Sequence, residues 1–323
     1  VPPPEVLEEL VRRAAGGEKV GFIGNLVDDV MDAGDKLIEL ALKIGAEIPV
    51  PVFHSRFLDP DRADRENHCL DFCGEGAHPG GGIVAASQVV EQSLNIDFDF
   101  VAIQLSPADS MLQRLGRERR FNNKERRSSV PECIVLCPEG DDAGAHQFVY
   151  GSYGDKGEST PSLLWRTRNF LERKIAETED CVLSFPELQR DFVNAVYDAP
   201  RLPDEPSGHA EWKKHNGKRE ALAVLGASRL GKTDGEGDGD EKSVSTRGED
   251  ESVELLLVEI CGDGRKKLLG NNAEYADISA MNPGKFESSI VRVPRSWEKK
   301  LNGAKTAFKD GPYVVEMEQK NQD

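Results

Sequence analysis

The sequence is poor in positive charge. Lys and Arg number 41 against 58 Asp and Glu, a formal net charge of −17 over 323 residues. Such a chain has no general electrostatic affinity for nucleic acid, so any contact with a phosphate backbone must come from a local basic surface. The segment 114–127 is the best candidate. Hydrophobic residues make up only 38%, low for a fully packed globule, so part of the chain is expected to be loop or disordered. No apolar run reaches the length of a membrane span. The start, Val-Pro-Pro-Pro-Glu, has neither the basic opening nor the apolar core of a secretory signal. It also lacks an initial Met, which points to a processed chain or an excised fragment.

Metal-ligand spacing is missing as well. The six cysteines (69, 73, 133, 137, 181, 261) include no C-x₂-C knuckle, and the histidines show no H-x₃-H or HExxH spacing. Cys133 and Cys137 bracket an apolar run and Cys69 and Cys73 sit on a predicted helix, so buried free thiols in a reducing cytoplasm are expected and no metal site is assigned. A literal P-loop pattern does occur, Gly226-Ala-Ser-Arg-Leu-Gly231-Lys232-Thr233. A P-loop needs a following helix to aim its first amides at phosphate. Here Asp-Gly-Glu-Gly-Asp-Gly-Asp follows, which cannot form that helix and repels phosphate.

What is present is an alternation of strands and helices. Compact apolar runs at Lys19–Gly24, Ile48–Phe53, Ile83 onward, Phe98–Leu105 and Glu132–Leu136 lack a polar face. Between them lie helical patterns at 5–15, 26–44 and 60–72, with Asn25 as a plausible N-cap. Strands without a polar face, separated by helices, predict an α/β fold: a parallel sheet covered on both sides. In such sheets the working residues sit at the carboxyl ends of strands, which gives His54, Arg56 and Ser87 a functional address. Beyond about Gly140 the alternation gives way to helical patterns at 161–174, 185–197 and 211–225. A polar glycine-rich stretch at 231–250 reads as a disordered linker. Strands at 252–260, 289–293 and 313–317 suggest a small mixed terminal module.

After the fourth strand, Gln113-Arg114-Leu115-Gly116-Arg117-Glu118-Arg119-Arg120 predicts a helix with Gln113, Arg117 and Arg120 on one face and Gly116 permitting close approach of another backbone. Guanidiniums suit planar phosphate recognition, including the arginine-finger role toward a γ-phosphate held by a neighbouring domain.

These residues carry a resemblance. Gln113-Arg114-Leu115-Gly116-Arg117-x-x-Arg120 resembles motif VI of superfamily-2 helicases, and Ser87-Gln-Val-Val-Glu91-Gln92-Ser93-Leu94-Asn95-Ile96-Asp97-Phe98-Asp99 resembles motif V in the wording of the helicase-nuclease of type I CRISPR systems. Phe22-Ile-Gly-Asn25, Phe53-His54-Ser55-Arg56-Phe57, Val149-Tyr150-Gly151, Leu164-Trp165-Arg166-Thr167 and Ser289-Ile-Val-Arg292-Val-Pro294 continue the likeness, closely over 18–200 and in patches to about 317. The resemblance implies a second RecA-like domain at 1–150, a helical accessory region at 151–230, the acidic linker at 231–250 and a small C-terminal domain at 251–323. It implies that Arg117 and Arg120 face ATP with Gln113 in support, and that Asn95 and Asp97 take part in ATP coupling. Asn95 stands where the family usually has Asp. Ser87 (usually Thr), Gln88, Arg114, His54, Ser55 and Arg56 are implied at single-stranded DNA. The family's first RecA-like lobe, with its P-loop and Mg²⁺ site, and its HD nuclease find no match here. ATP and Mg²⁺ are therefore expected to be held mostly by that missing lobe, and this chain alone to be inactive. Implied partners are the missing lobe and nuclease, single-stranded DNA and a Cascade-type CRISPR surveillance complex, with no membrane. Two other readings stay open: half of another superfamily-2 helicase, and a catalytically silent docking module for the surveillance complex.

Overall fold

A computed structural model describes residues 1–77, 80–92, 94–121, 126, 131–137, 160–179, 182–185, 187–200, 202, 205, 252–270, 275, 286–301, 304–307 and 312–318. Among the sequence expectations, the P-loop pattern at 226–233, the helix at 211–225, the linker at 231–250 and the Val149-Tyr150-Gly151 match lie outside these residues. The chain divides into two compact units, Val1–Phe53 with His68–Gly248, and His54–Asn67 with Glu249–Asp323.

The first unit is the parallel α/β sheet that the apolar runs predict. Its strands are β1 (Lys19–Ile23), β2 (Val52–Phe53), β3 (Gly82–Ala86), β4 (Phe100–Gln104) and β5 (Cys133–Leu136), in spatial order β2-β3-β1-β4-β5. Every pairing is parallel. Alternate residues of the central strands face opposite sides. Val20, Phe22, Ile83, Ala85, Phe100 and Ala102 pack beneath α1 (Pro4–Ala15) and α2 (Val27–Lys43). Ile23, Val84, Ala86, Val101 and Ile103 pack on the other side. That side is covered by Cys69 and Cys73 of α3 (Asp59–Cys73), Val90 of α4 (Val89–Gln92), Met111 of α5 (Ala108–Leu115), Phe170 of α6 (Thr160–Ala176) and Phe192 of α7 (Gln189–Tyr197). Both faces of the sheet are thus apolar, which is why no strand alternates in sequence.

Asn25 does not cap α2: Leu26 occupies that position without a side-chain cap, because the Asn25 amide is taken by residues across the sheet edge. Cys133 and Cys137 are exposed, not buried, since β5 is an edge strand. Cys69 and Cys73 are buried and outside any disulfide, as expected.

The second unit is a four-stranded mixed sheet built around β6 (Ser252–Ile260). β6 pairs antiparallel with β7 (Lys266–Leu268) and β8 (Ile290–Pro294), and parallel with β9 (Tyr313–Glu318). Leu256 and Val258 bury one face with Leu268 and Phe286, while Leu255 buries the other with Val291, Val293 and Leu58. Leu58 comes from the His54–Asn67 segment, so this unit is discontinuous in sequence.

Candidate nucleotide- and DNA-facing site

The carboxyl ends of β1, β3 and β4 gather one polar network around Arg114. The side chain is fully buried, and its Nε donates to Glu91 Oε1 at 2.8 Å. Its Nη1 donates to Asn25 Oδ1 at 2.8 Å and to the Gln104 carbonyl at 2.9 Å. Ser110 Oγ holds the second carboxylate oxygen of Glu91 at 2.5 Å. Asn25 in turn donates through Nδ2 to the Leu105 carbonyl at 2.9 Å and receives Gln88 Nε2 on its own carbonyl at 3.4 Å. Gln104 accepts the Asn25 N–H at 2.6 Å and donates to Asp29 at 3.0 Å. A charge this deep persists only when paired and hydrogen-bonded, and the network supplies both.

The expectation that Arg114 touches DNA is therefore corrected: the guanidinium lies wholly inside the fold. So is the continuous arginine helix. α5 stops at Leu115, and Gly116 is its C-cap, the ideal Cβ there meeting nothing but carbonyls of its own helix. Gly116 thus sits at the helix end, and no other backbone lies against it among the described residues. The chain then runs beside Phe98, which donates its N–H to the Arg117 carbonyl at 2.9 Å and accepts the Arg119 N–H at 2.9 Å. Arg119 adopts φ +51°, the left-handed region that lets the strand-like contact follow directly on the helix. Gln113 and Arg120 are exposed, and Arg117 is buried.

Arg117 is tied by one bond, from Nη2 to the backbone carbonyl of Glu91. Its buried Nε has no hydrogen-bond partner among the described residues. Burial, and then the charge of Arg120, push its pKa below the ordinary guanidinium value. An anion placed against Arg117 and Arg120 would relieve both effects. Asp97 accepts the Arg120 N–H at 2.7 Å and pairs with Arg126, which also reaches Asp99 at 2.8 Å. Burial nonetheless holds Asp97 above the usual carboxylate range. Asn95 is exposed and has no place in this pairing.

Ser87, at the end of β3, is buried, donates its N–H to the Phe53 carbonyl at 3.0 Å and accepts the Val90 N–H on its own carbonyl at 3.4 Å. It opens the single turn of α4 that closes on Glu91. In the second unit, His54 stacks on Phe57 with ring centres 4.1 Å apart and accepts the Arg56 N–H on Nδ1 at 3.2 Å, with Ser55 exposed between them.

Comparison with known proteins gives this geometry a family. Residues 16–123 match the family described as CRISPR-associated nuclease/helicase Cas3, C-terminal. The CRISPR-associated endonuclease/helicase Cas3 of Escherichia coli (strain K12) is 30% identical over 94% of this chain and 33% of its own length. The chain is similar to the C-terminal part of Cas3. It thus spans about a third of the curated relative it matches. The fold agrees: the crystal structure of T. fusca Cas3-ATP superposes with TM-score 0.68 at 21% identity, covering 97% of this chain and 37% of that one. A CRISPR RNA-guided surveillance complex, pre-nicking, contains a chain with TM-score 0.60 at 20% identity, covering 94% of this chain and 38% of that one.

The Cas3-like match runs from the start of β1 through the arginine segment, and Asn25, Ser87, Glu91, Asp97, Arg114, Arg117 and Arg120 all fall within it. Four contributors have no role that the motifs alone assign: Glu91, Asn25 as a side-chain acceptor, Gln104 and Arg126. Glu91 was detectable as the one carboxylate in the run from Ser87 to Leu94. Arg126 resembled surface charge until its pairing with Asp97 and Asp99 took it out of the basic patch expected at 114–127.

Proposed function

We propose that this chain is the C-terminal half of an ATP-dependent single-stranded DNA translocase of CRISPR defence. It supplies Arg117 and Arg120 to a nucleotide held mainly by a preceding lobe; Ser87 and Gln88 on the first unit, and separately His54, Ser55 and Arg56 on the second, are the DNA contacts that the motif resemblance implies. The observation that carries the reading is the pair of guanidiniums after α5: one buried with an unpartnered Nε, its neighbour exposed, neither paired with an anion among the described residues. Developing charge on a transferring phosphoryl group is the anion such a pair suits. Gln113, exposed on the last turn of α5, supports them, and Asp97 fixes the Arg120 backbone. Asn95 takes the coupling position where a carboxylate is usual. Arg114 takes no DNA role and instead anchors Glu91, whose carbonyl holds Arg117. ATP and Mg²⁺ sit mainly on the partner lobe.

The similarity to Cas3 determined with ATP and to a chain of a CRISPR RNA-guided surveillance complex supports ATP and such a complex as partners. The domain division proposed is a RecA-like lobe at 1–150, an accessory region at 151–230, a linker at 231–250 and a small C-terminal domain at 251–323, with His54–Asn67 grouped with that last domain and the accessory helices with the lobe. A first RecA-like lobe from a Cas3 relative, mixed with this chain and single-stranded DNA, tests the reading. DNA-stimulated ATPase that neither part shows alone, and that Arg120→Ala lowers by about 10³-fold or more as for other arginine fingers, is the expected result. Turnover by this chain alone, or restored turnover indifferent to Arg120, rejects it.

A further inference from the structure

Within the second unit a short 3-10 helix, Arg295–Leu301, carries three cations against one carboxylate in a chain whose overall charge is −17. That carboxylate, Glu298, is already engaged: Arg295 lies 3.3 Å away and the Tyr313 hydroxyl donates to it at 2.9 Å. Lys299 and Lys300 are exposed and form no ion pair among the described residues. Residues three apart on a 3-10 helix eclipse one another. Lys300 accordingly sits over the Trp297 indole, its Nζ 5.0 Å from the ring centre. Arg56, from the other segment of the same unit, brings its guanidinium to 5.9 Å from that ring. The indole is half-buried, seated on the cluster of Leu255, Val291 and Val293.

We infer that Trp297, with Arg56, Lys299 and Lys300, forms a binding site for single-stranded DNA on the C-terminal unit. A fixed aromatic surface flanked by cations is the combination that holds an unpaired strand: the ring stacks a base and the cations meet the phosphates on either side. Duplex DNA offers phosphates to the cations but no base to the ring, because its bases are already stacked. A purely structural role also accounts for cations over an indole, since long side chains cover apolar surface with their stems. That role leaves the two lysine ammonium groups without an anion and predicts no response to an oligonucleotide. The inference deepens the function proposed above and rests on it for the choice of DNA over other polyanions.

The purified full chain is titrated with a twenty-nucleotide oligo-dT while tryptophan emission is followed. Binding is expected to quench the emission. Trp297→Leu is expected to remove the larger part of the quench and weaken binding by about tenfold, within the range for one stacked base. Lys299→Gln with Lys300→Gln keeps the indole and removes both charges, and is expected to lower the salt dependence of log K by about 0.7 for each phosphate that no longer meets a lysine. Unchanged affinity and salt dependence in both variants overturns the site, as does equal binding of a duplex of the same length. Restored ATPase in the two-lobe mixture combined with that result rejects this site alone. Oligonucleotide binding that depends on Trp297 without restored ATPase supports the site and rejects the helicase reading.

Discussion

At the scale of single residues, Arg114 and Arg117 show how two arginines three positions apart take opposite roles. Arg114 has its charge matched by Glu91, which accepts from Nε, and its Nη1 held by Asn25 and the Gln104 carbonyl, whereas Arg117 has one backbone acceptor and an open Nε. Removing Arg114 strands the Glu91 carboxylate in the interior, so Arg114→Ala is expected to cost about 3–5 kcal/mol, the range for a broken buried pair. Urea denaturation followed by far-UV circular dichroism measures this. A destabilisation below about 0.5 kcal/mol, the usual surface value, contradicts the buried network. Glu118 provides a pH test. Burial raises its carboxyl from 4.5 to about 7, even though Oε1 accepts the Glu132 N–H at 2.8 Å. The folded chain then binds a proton more readily than the unfolded one, so this group's contribution to stability is present below the unfolded value and lost as pH rises through the folded one. Glu118→Gln keeps the acceptor and removes the titration. It is expected to raise the melting temperature above about pH 7 and to flatten the decline between 4.5 and about 7. Parallel pH profiles for variant and parent sink the idea.

At the scale of elements, strand positions were readable in the sequence because a sheet buried on both faces leaves an unbroken apolar signature: β1, β2, β4 and β5 lie within the apolar runs that predict them, and β3 begins one residue earlier, at Gly82. The end of α5 was less legible. Helical periodicity alone continues through Arg120, and Gly116 by itself is only a weak stop. The decisive influence is tertiary: Phe98 claims the backbone of Arg117 and Arg119, a contact between strand and helix ends that no local spacing encodes. The Arg114 network was hidden for the same reason, since its partners come from three strand ends. Phe98 is itself seated by β1, because the ideal Cβ at Gly21 lies 2.9 Å from the Phe98 ring. Gly21→Ala therefore pushes on the residue that aligns the arginine segment. It is expected to cost about 1–3 kcal/mol through overpacking. In the two-lobe mixture it is expected to lower ATPase while DNA binding by the chain is retained. A variant with parental stability and turnover shows that Phe98 does not transmit the packing of β1 to Arg117.

At the scale of the whole molecule, the second unit is completed by a segment that sequence order places far from it. Leu58 is buried among Leu255, Val291 and Val293, and Arg56 lies over Trp297, although both belong to the loop between β2 and α3. Composition alone divides the chain at 231–250, since a polar glycine-rich run is the obvious boundary. The packing instead makes the C-terminal unit depend on residues some two hundred positions earlier. Cutting the chain within 231–250 gives a direct test, with a site-specific protease sequence inserted there. The two pieces are expected to remain together on size-exclusion chromatography, because His54–Asn67 travels with the N-terminal piece yet forms part of the other's core. Leu58→Asp introduces an unpaired charge into that core, which costs several kcal/mol by desolvation, and is expected to let the cut pieces separate. Separation of the parental pieces, with each still folded by circular dichroism, shows that the strands from Ser252 onward close their core without Leu58.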